Sequence, residues 1–388
     1  MEDFRSFTAQ PKVRLIAFYL PQYYPIPEND EWWGKGFTEW TNVAKAKPLF
    51  KGHYQPKIPA DLGFYDLRVP ETRQAQADLA KRYGIESFCY WHYWFGGRRI
   101  LERQVSEMIA TRQPDFPFCL GWANQSWTGI WHGAPDRILI EQTYPGMNDH
   151  IAHFYSLMPA FLDDRYMKLD GQPLFIVYRP LDIPESRKFT DLWRELASKE
   201  GLKGLYFVGE ASRHQTWFPQ EHGFDGSFRM TIAPPVEWFS WKHPLRHLRL
   251  LWQRRVRNLP LVYRYEDVLP FLDCDNLNGA GIYPCILPNW DNTPRSGRNG
   301  VVLHESTPDL FRVHVRRQLQ KTLEKTREHR LVFIKSWNEW AEGNYLEPDM
   351  RFGHAYLQVL ADEVFLLERD TIAGDSKASP LTVEMANK

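Results

Sequence analysis

Two glutamates near the C-terminus are of the residue type that glycosidic-bond chemistry uses, and they stand only three positions apart. Glu339 and Glu342 follow the expected strand 331–337, and Gly343 comes directly after them. If the strand continued, side chains three residues apart would point to opposite faces, because strand side chains alternate. We therefore expect the strand to end and the backbone to turn between the glutamates, with Gly343 taking an unusual dihedral angle. Both carboxyl groups would then face one site.

Such a carboxyl pair is what glycoside cleavage needs. One carboxyl group protonates the leaving oxygen, while the other acts as nucleophile, base or charge stabiliser. These roles need different pKa values, and Trp337 and Trp340 beside the glutamates offer apolar surface that could raise the pKa of one carboxyl group. Asn338 could hydrogen-bond a sugar hydroxyl. The alternative interpretation is that both glutamates cap, or form ion pairs with, the final helix.

The aromatic content of the chain also favours a carbohydrate ligand. The 388 residues include 16 Trp, 18 Tyr and 24 Phe, and tryptophans are frequent in polar, glycine-containing segments. Flat apolar rings suit the faces of sugars, which present C–H groups between hydroxyls. For any single aromatic residue, burial in the core is an equal alternative. Candidate sugar contacts at or just after expected strand ends are Tyr19, Tyr23, Glu39, Trp40, His92, Tyr93, Trp94, Trp122, Asn124, Trp127, Glu210, Asn289, Trp290, Asp291, Trp337 and Asn338.

The elements that must position these residues alternate between short apolar runs and longer helical patterns, as in βα units around a parallel sheet. Eight strands are expected, and eight favour a single closed (β/α)8 TIM barrel of the α/β class over an open doubly wound sheet. Barrel enzymes build their sites from long loops at the C-terminal strand ends. The expected strands are 14–20, 87–94, 116–123, 174–178, 205–209, 225–230, 282–287 and 331–337. The clearest helical patterns are 71–83, 100–111, 149–162, 185–199, 308–328 and 354–369.

We expect residues 1–370 to form one catalytic domain. Residues 371–388 are small and polar, which predicts a disordered tail. A helical insertion near 240–272 contains a basic stretch, 241–258, with six Lys or Arg side chains and no acidic residue. We interpret this stretch as a helix packed on the barrel with a solvated basic face, and peripheral contact with an anionic membrane is the alternative.

Charge and cysteine usage narrow the possible partners. The chain has 48 basic and 48 acidic side chains, so no overall field attracts polyanions, and nucleic acid is not an expected partner. The four cysteines form no C-x-x-C pair, and no apolar run predicts a transmembrane helix or a signal peptide. Reduced thiols and a cytoplasmic location are therefore expected.

The sequence predicts catalysis without a metal or an organic cofactor. The only Asp-x-Asp candidate for a metal site, 273–275, is more typical of a turn or a helix cap. No glycine-rich nucleotide-binding or phosphate-binding motif stands at a strand-to-helix junction.

Five separated runs of the chain carry a family resemblance: 17–24, 36–40, 89–95, 122–124 and 337–343. They resemble the WbsX-type proteins, which look like relatives of the endo-α-mannosidases of glycoside hydrolase family 99. The resemblance covers about residues 14–369 and implies a (β/α)8 barrel of the kind found in surface-polysaccharide gene clusters. It also implies that Glu339 assists the sugar's 2-hydroxyl and that Glu342 acts as acid and then base. The chain departs from these relatives at Ala341, where the mannosidases have His, and at Gln125, where Glu is frequent.

The sequence therefore predicts a glycoside hydrolase, or a transglycosylase, that acts on an internal linkage of a surface polysaccharide or a lipid-linked oligosaccharide. A glycosyltransferase of O-antigen or polysaccharide biosynthesis, the name commonly given to WbsX-type proteins, is the first alternative. A glycan-binding barrel without catalytic activity is the second.

Overall fold

Parallel strands form the centre of the molecule. The structure is a computed structural model that describes residues 12–129, 134–211, 217–230, 248, 252–272 and 281–375. Within these residues the central sheet runs in the order β7-β6-β5-β4-β3-β2-β1-β9-β8, with every neighbouring pair parallel. Its strands are β1 (Arg14–Tyr19), β2 (Ser87–Phe95), β3 (Phe118–Trp122), β4 (Gln172–Val177), β5 (Tyr206–Glu210), β6 (Gly226–Phe228), β7 (Ile282–Tyr283), β8 (Cys285–Ile286) and β9 (Leu331–Ile334).

The two strands at the ends of this order are neighbours in the chain, and they close the barrel. β7 pairs with β6, and β8 pairs with β9. Only Pro284 separates β7 from β8, and proline has no N–H for a strand ladder. The run 282–287, predicted as one strand, is thus two short strands, while the predicted α/β barrel is confirmed.

The barrel interior is packed with aromatic side chains. The ring of Phe18 on β1 stacks on Trp91 of β2, with centroids 4.7 Å apart. Phe228 of β6 and Phe333 of β9 lie 5.3 and 5.6 Å from the same ring. Side chains from four strands therefore fill the centre, and the site must lie above this layer, at one end of the barrel.

Helices surround the barrel, and several begin at a proline, whose fixed φ and missing N–H suit the first helical turn. The last helix is described to Asp375, and residues 376–388 of the expected tail lie outside the described part of the chain. The helices are α1 (Pro27–Trp33), α2 (Glu39–Lys45), α3 (Pro70–Arg82), α4 (Arg103–Thr111), α5 (Met147–Phe161), α6 (Ser186–Lys199), α7 (Tyr265–Leu272), α8 (Thr293–Ser296), α9 (Pro308–Thr322) and α10 (Ala355–Asp375).

Short elements complete the loops above and below the barrel. Further strands are Arg98–Ile100, Trp127–Gly129, Ala134–Ile140, Lys168–Leu169, Leu261–Arg264, Val301–His304, Asn338–Glu339 and Asn344–Tyr345. Single 3-10 turns are Pro180–Asp182, Pro219–His222, Gly297–Asn299, Arg327–His329 and Trp340–Glu342.

The predicted basic insertion is described only in part. Residues 248 and 252–258 belong to the described chain, and the N–H of Val256 donates to the carbonyl of Trp252 at 2.9 Å, as in a helical turn. The Asp-x-Asp segment 273–275 lies outside the described residues. No helix among the described residues has the length and apolar character needed to cross a bilayer.

Candidate active site

Glu339 and Glu342 lie on a tight turn that follows β9. A short antiparallel ladder flanks a single 3-10 turn, Trp340–Glu342. Gly343 ends this turn with a φ of 65°, and a Cβ atom there would lie 2.8 Å from the backbone nitrogen of Asp291. Both the dihedral angle and the close approach require glycine, and the unusual dihedral predicted for this position is confirmed.

Lys335, directly after β9, brings the two carboxyl groups together. Its Nζ lies 3.4 Å from Oε1 of Glu339 and 3.4 Å from Oε2 of Glu342. Trp91 on β2 donates its indole N–H to the same oxygen of Glu339 at 3.2 Å. All four residues form part of the wall of one cavity. The two carboxyl groups therefore face a shared space.

Arg295 on α8 forms a second cationic contact. Its NH1 donates to Oε1 of Glu342 at 2.5 Å, and its NH2 donates to the carboxylate of Glu39 at 2.9 Å. The side chains of Arg295 and Glu39 are only 4% and 1% exposed. A guanidinium that binds two carboxylates in a buried site fixes the orientation of both. Glu39 therefore reaches the cavity wall with its charge already paired.

Burial and the surrounding charges give the two glutamates opposite protonation states. Burial, followed by the neighbouring Glu342 carboxylate, raises the pKa of Glu339 to about 8. Burial would also raise the pKa of Glu342, but Lys335 and Arg295 hold that pKa well below its ordinary value. Near neutral pH, Glu339 keeps its proton and Glu342 is a carboxylate. Acid-base catalysis by two carboxyl groups needs such a division.

The cavity has a volume of about 350 Å³ and lies at the C-terminal ends of the strands. A second, polar cavity of about 220 Å³ adjoins it, and both are lined by Gln125, Ser126 and Arg179. Their sizes suit one or a few sugar residues. The aromatic residues of the main cavity are Trp33, Phe37, Trp91, Tyr93, Trp127 and Tyr178.

Only some of the predicted sugar contacts reach this cavity. Glu39, Tyr93 and Trp127 line it together with the two glutamates. Asn124 lines the adjoining polar cavity, and Asn289 borders a separate small cavity. The remaining predicted contacts do not line the main cavity: Tyr19, Tyr23, Trp40, His92, Trp94, Trp122, Glu210, Trp290, Asp291, Trp337 and Asn338.

On β2 the alternation of side chains explains which residues face the cavity. Trp91 and Tyr93 line it, whereas the intervening His92 and the following Trp94 point to the helical layer. His92 Nε2 lies 2.8 Å from Nε2 of His153 on α5, and Trp94 stacks on the same imidazole at 4.7 Å. The expectation that His92 and Trp94 contact sugar is corrected to a packing role against α5.

A buried network beneath the turn engages a second group of predicted contacts. The hydroxyl of Tyr23 donates to the carbonyl of Asn338, and the Asn338 amide bonds both backbone groups of Leu20 at 2.8 and 3.0 Å. Trp40 donates its indole N–H to the carbonyl of Tyr65 at 2.7 Å. Tyr23, Trp40 and Asn338 therefore hold the turn in place rather than lining its cavity.

The loops that meet this turn are held by a buried carboxylate. Asp291 accepts hydrogen bonds from the Gln55 amide at 2.7 Å and from the Thr293 hydroxyl at 2.6 Å, and it lies 2.8 Å from His53 Nε2. The adjacent Trp290 is buried, with Lys335 Nζ 5.3 Å from its ring centroid. Both residues support the site from behind its wall.

Three of the other predicted contacts, Tyr19, Trp122 and Trp337, are packed among core residues. Tyr19 donates its hydroxyl to Gln76 at 2.6 Å, and Trp122 donates its indole N–H to the carbonyl of Trp94 at 3.3 Å. Trp337 has no exposed surface. Tyr19, Trp122 and Trp337 therefore offer no cavity surface to a sugar. Glu210 differs, because it keeps partial exposure and interacts electrostatically with the cavity residues Lys335 and Arg179, while its burial raises its pKa to about 7.

Four cavity residues with evident chemistry were not among the predicted contacts. Lys335, Trp91 and Tyr178 stand at or near strand ends, which is the signal that could have identified them. Arg295 lies on the short helix α8, in the loop that follows the predicted strand 282–287, and no motif distinguishes it from the other arginines of the chain.

Among the described residues, no group of three or more His, Cys, Asp or Glu side chains is arranged to hold a metal ion. The buried histidines His92 and His153 pair with each other, and burial lowers the pKa of both well below the ordinary value.

The sequence matches a family model and two curated proteins. The model, described as glycosyltransferase WbsX, matches residues 15–360. The proteins are WxcX, described as uncharacterized, from two strains of Xanthomonas campestris pv. campestris. Each is 38% identical over 352 residues, covering 88% of this chain and 48% of the relative. The chain thus spans about half the length of the curated relatives it matches.

Solved structures with a similar fold include carbohydrate-processing proteins. A protein described as glycoside hydrolase-like has a TM-score of 0.55 at 13% identity, covering 94% of this chain and 97% of its own. The family 99 endo-α-mannosidase of Bacteroides thetaiotaomicron has a TM-score of 0.53 at 14% identity, covering 93% of this chain and 98% of its own. At such low identity these likenesses show a shared barrel fold and nothing further.

Proposed function

The chain belongs to the glycosyltransferase WbsX family, a family of carbohydrate-active enzymes. We propose that this member of the family cleaves a glycosidic bond by means of Glu339 and Glu342. The observation that carries this proposal is the convergence of both carboxyl groups on Lys335 at the wall of an aromatic cavity. Glycoside hydrolysis needs two carboxyl groups with different protonation states around one sugar. We take the substrate to be an internal linkage of a surface polysaccharide or a lipid-linked oligosaccharide.

The charges around the pair support a specific division of labour. Glu339 keeps its proton at neutral pH and can donate it to the leaving oxygen. Glu342 is ionised beside Lys335 and Arg295, and its negative charge can stabilise the positive charge that develops on the sugar ring. This assignment is the reverse of the roles that the mannosidase resemblance implies.

Substrates with activated leaving groups separate the two assignments. A nitrophenyl glycoside needs no proton on its leaving oxygen, so a variant that lacks the acid keeps turnover on it while losing turnover on a natural linkage. We expect Glu339→Gln to behave in this way and Glu342→Gln to lose turnover on both substrates. The opposite pattern would assign the acid to Glu342.

Hydrolysis, transfer and simple binding give different products. The purified protein would be incubated with surface polysaccharides and lipid-linked oligosaccharides, with Glu342→Gln as the inactive variant and the exposed Glu305→Gln as the matched control. Release of new reducing ends, lost only in Glu342→Gln, supports hydrolysis. Product that forms only when a nucleotide sugar is added supports a glycosyltransferase. Saturable binding without either product supports a glycan-binding barrel.

We further propose that the basic stretch touches an anionic lipid surface. Leu248, Trp252 and Val256 are spaced four residues apart, as on one helix face, and are 59%, 50% and 68% exposed. The stretch 241–258 carries six cationic side chains and no acidic one. Exposed apolar side chains among cations suit the interface of a membrane that contains anionic lipid.

Vesicle sedimentation tests this contact. We expect more protein to sediment with phosphatidylglycerol-containing vesicles than with pure phosphatidylcholine vesicles. The pair Trp252→Ser and Val256→Ser should abolish the difference, whereas Val313→Ser, an exposed apolar residue on α9, should not. Equal sedimentation with both kinds of vesicle would reject the proposal.

A further inference from the structure

Asn42 on α2 is a buried amide whose polar atoms have no partner. The residue is 1% exposed, and neither its side-chain nitrogen nor its side-chain oxygen makes a hydrogen bond within the described part of the chain. A buried polar group without a partner costs about 1–3 kcal/mol. Native proteins rarely keep such a group without a reason, and packing alone gives none here.

The position of Asn42 supplies the reason, because the residue forms part of the wall of the main cavity. It lies one helical turn after Glu39, so the two side chains occupy the same face of α2. Glu39 in turn is joined through Arg295 to Glu342. Asn42 therefore shares the cavity with the proposed catalytic pair and is not itself one of the two carboxyl groups.

Other residues in the wall of the same cavity have the chemistry of a sugar subsite. Trp33 and Phe37 both form part of the cavity wall, and their ring centroids lie 6.1 Å apart. Gln22 also lines the cavity and donates its amide to Asn29 at 3.3 Å. Aromatic rings beside amide side chains are suited to a pyranose, which has apolar faces and a polar edge.

We propose that Asn42, with Gln22, Trp33 and Phe37, forms a subsite for a neutral pyranose that presents two adjacent hydroxyl groups. An amide holds a donor and an acceptor side by side, so its nitrogen can donate to one hydroxyl while its oxygen accepts from the next. The ligand is neutral because the nearby charges of Glu39 and Arg295 already pair with each other. This inference rests on the proposed carbohydrate function but does not require bond cleavage.

Side-chain amide resonances test the subsite without any turnover. The probes are the methyl α-glycosides of mannose, glucose, galactose and rhamnose, which are neutral and carry adjacent hydroxyls. In protein labelled with ¹⁵N at asparagine, the Asn42 resonance is identified by its loss in Asn42→Leu. We expect at least one probe to shift this resonance in a saturable way. If no probe shifts it, the proposal is overturned.

Two substitutions separate recognition from folding. Asn42→Leu keeps the side-chain size and removes the unpaired amide, so the melting temperature should stay the same or rise, while the Kd for the probe weakens at least about tenfold. Gln104→Leu is the matched control, because Gln104 on α4 is also buried with an unpaired side-chain oxygen but does not line the cavity. Its probe affinity should not change. Unchanged affinity in Asn42→Leu would overturn the proposal.

The result is independent of the proposed catalytic pair. If Glu342→Gln abolishes turnover while the Asn42 response persists, both proposals stand. If Glu342→Gln keeps full turnover but the Asn42 response persists, the catalytic proposal fails and the subsite remains.

Discussion

The ammonium nitrogen of Lys335 lies 3.4 Å from a carboxylate oxygen of Glu342. Lys335 directly follows β9, and Glu342 is the last residue of the 3-10 turn after it. The same nitrogen is equally close to Glu339. Two ionised carboxylates this close to one cation would still repel each other, and one of them relieves the repulsion by keeping a proton. Arg295 donates to Glu342 at 2.5 Å and, together with Lys335, holds the pKa of Glu342 well below its ordinary value, so the proton stays on Glu339. Lys335 and Arg295 thus act as positioning residues that determine which carboxyl group carries the charge.

Replacement of Lys335 by methionine should therefore change the pH dependence and not only the rate. Without the ammonium group, the pKa of Glu342 rises, and the acidic limb of the rate profile moves to higher pH. Turnover should fall on the order of 10²-fold, the usual effect of removing one preorganised charge. Lys335→Arg should restore part of the turnover because it restores the cation. A profile that keeps its shape while the rate falls would show that Lys335 supports folding alone.

The alkaline limb should report Glu339. Its pKa of about 8 is raised by burial and by Glu342, so the active protonated form is lost as the pH rises through this value. We expect turnover of a natural glycan to fall above about pH 8, with the limb absent from the residual activity of Glu339→Gln. Activity that instead rises through pH 8 would mean that Glu339 acts as a carboxylate, as the mannosidase resemblance implies.

The barrel was predictable because apolar runs and helical patterns depend on local sequence. The division of 282–287 was also visible there, since Pro284 cannot donate to a strand ladder. Which aromatic residues face the cavity was not predictable, because a shift of one position exchanges the two faces of a strand. On β2 this parity selects Trp91 and Tyr93 and excludes His92 and Trp94.

The arrangement of charges in the site was even harder to predict from the sequence than the residues that face the cavity. The predicted pair and its turn follow from residues only three positions apart. Arg295 meets Glu39 across 256 positions of sequence, and only the folded barrel brings them together. The sequence alone therefore predicts the pair but does not reveal which glutamate keeps the proton.

The stability of the folded protein should depend on pH through a third buried glutamate, Glu347. It accepts hydrogen bonds from Trp340, Gln76 and Tyr65 at 2.6 to 2.8 Å, yet burial raises its pKa from 4.5 to about 7. The folded protein then holds a proton that the unfolded chain releases above pH 4.5. The stabilisation from this proton is complete below pH 4.5 and is lost as the pH rises through 7.

Melting temperatures measured from pH 4 to pH 8 check this linkage. We expect Glu347→Gln to reduce the decline in melting temperature across the interval, since glutamine does not titrate. Glu195→Gln is the control, because Glu195 is 63% exposed in an ion pair on α6, and its profile should match the original protein. An unchanged slope in Glu347→Gln would mean that Glu347 is already ionised at pH 5.

The turn itself can be tested at Gly343, which combines a positive φ with a crowded Cβ position. A left-handed φ costs a non-glycine residue about 1–2 kcal/mol, and a Cβ atom at 343 would also press on the backbone nitrogen of Asp291 at 2.8 Å. Gly63 has a similar φ of 60° and no heavy atom within 4 Å of its Cβ position. Gly63→Ala should therefore lose about 1–2 kcal/mol of unfolding free energy in urea and keep its turnover. Gly343→Ala should lose more stability and most of its turnover, because the displaced turn moves Glu342 away from Arg295 and Lys335. Equal losses in the two variants would show that the contact with Asp291 does not position the catalytic pair.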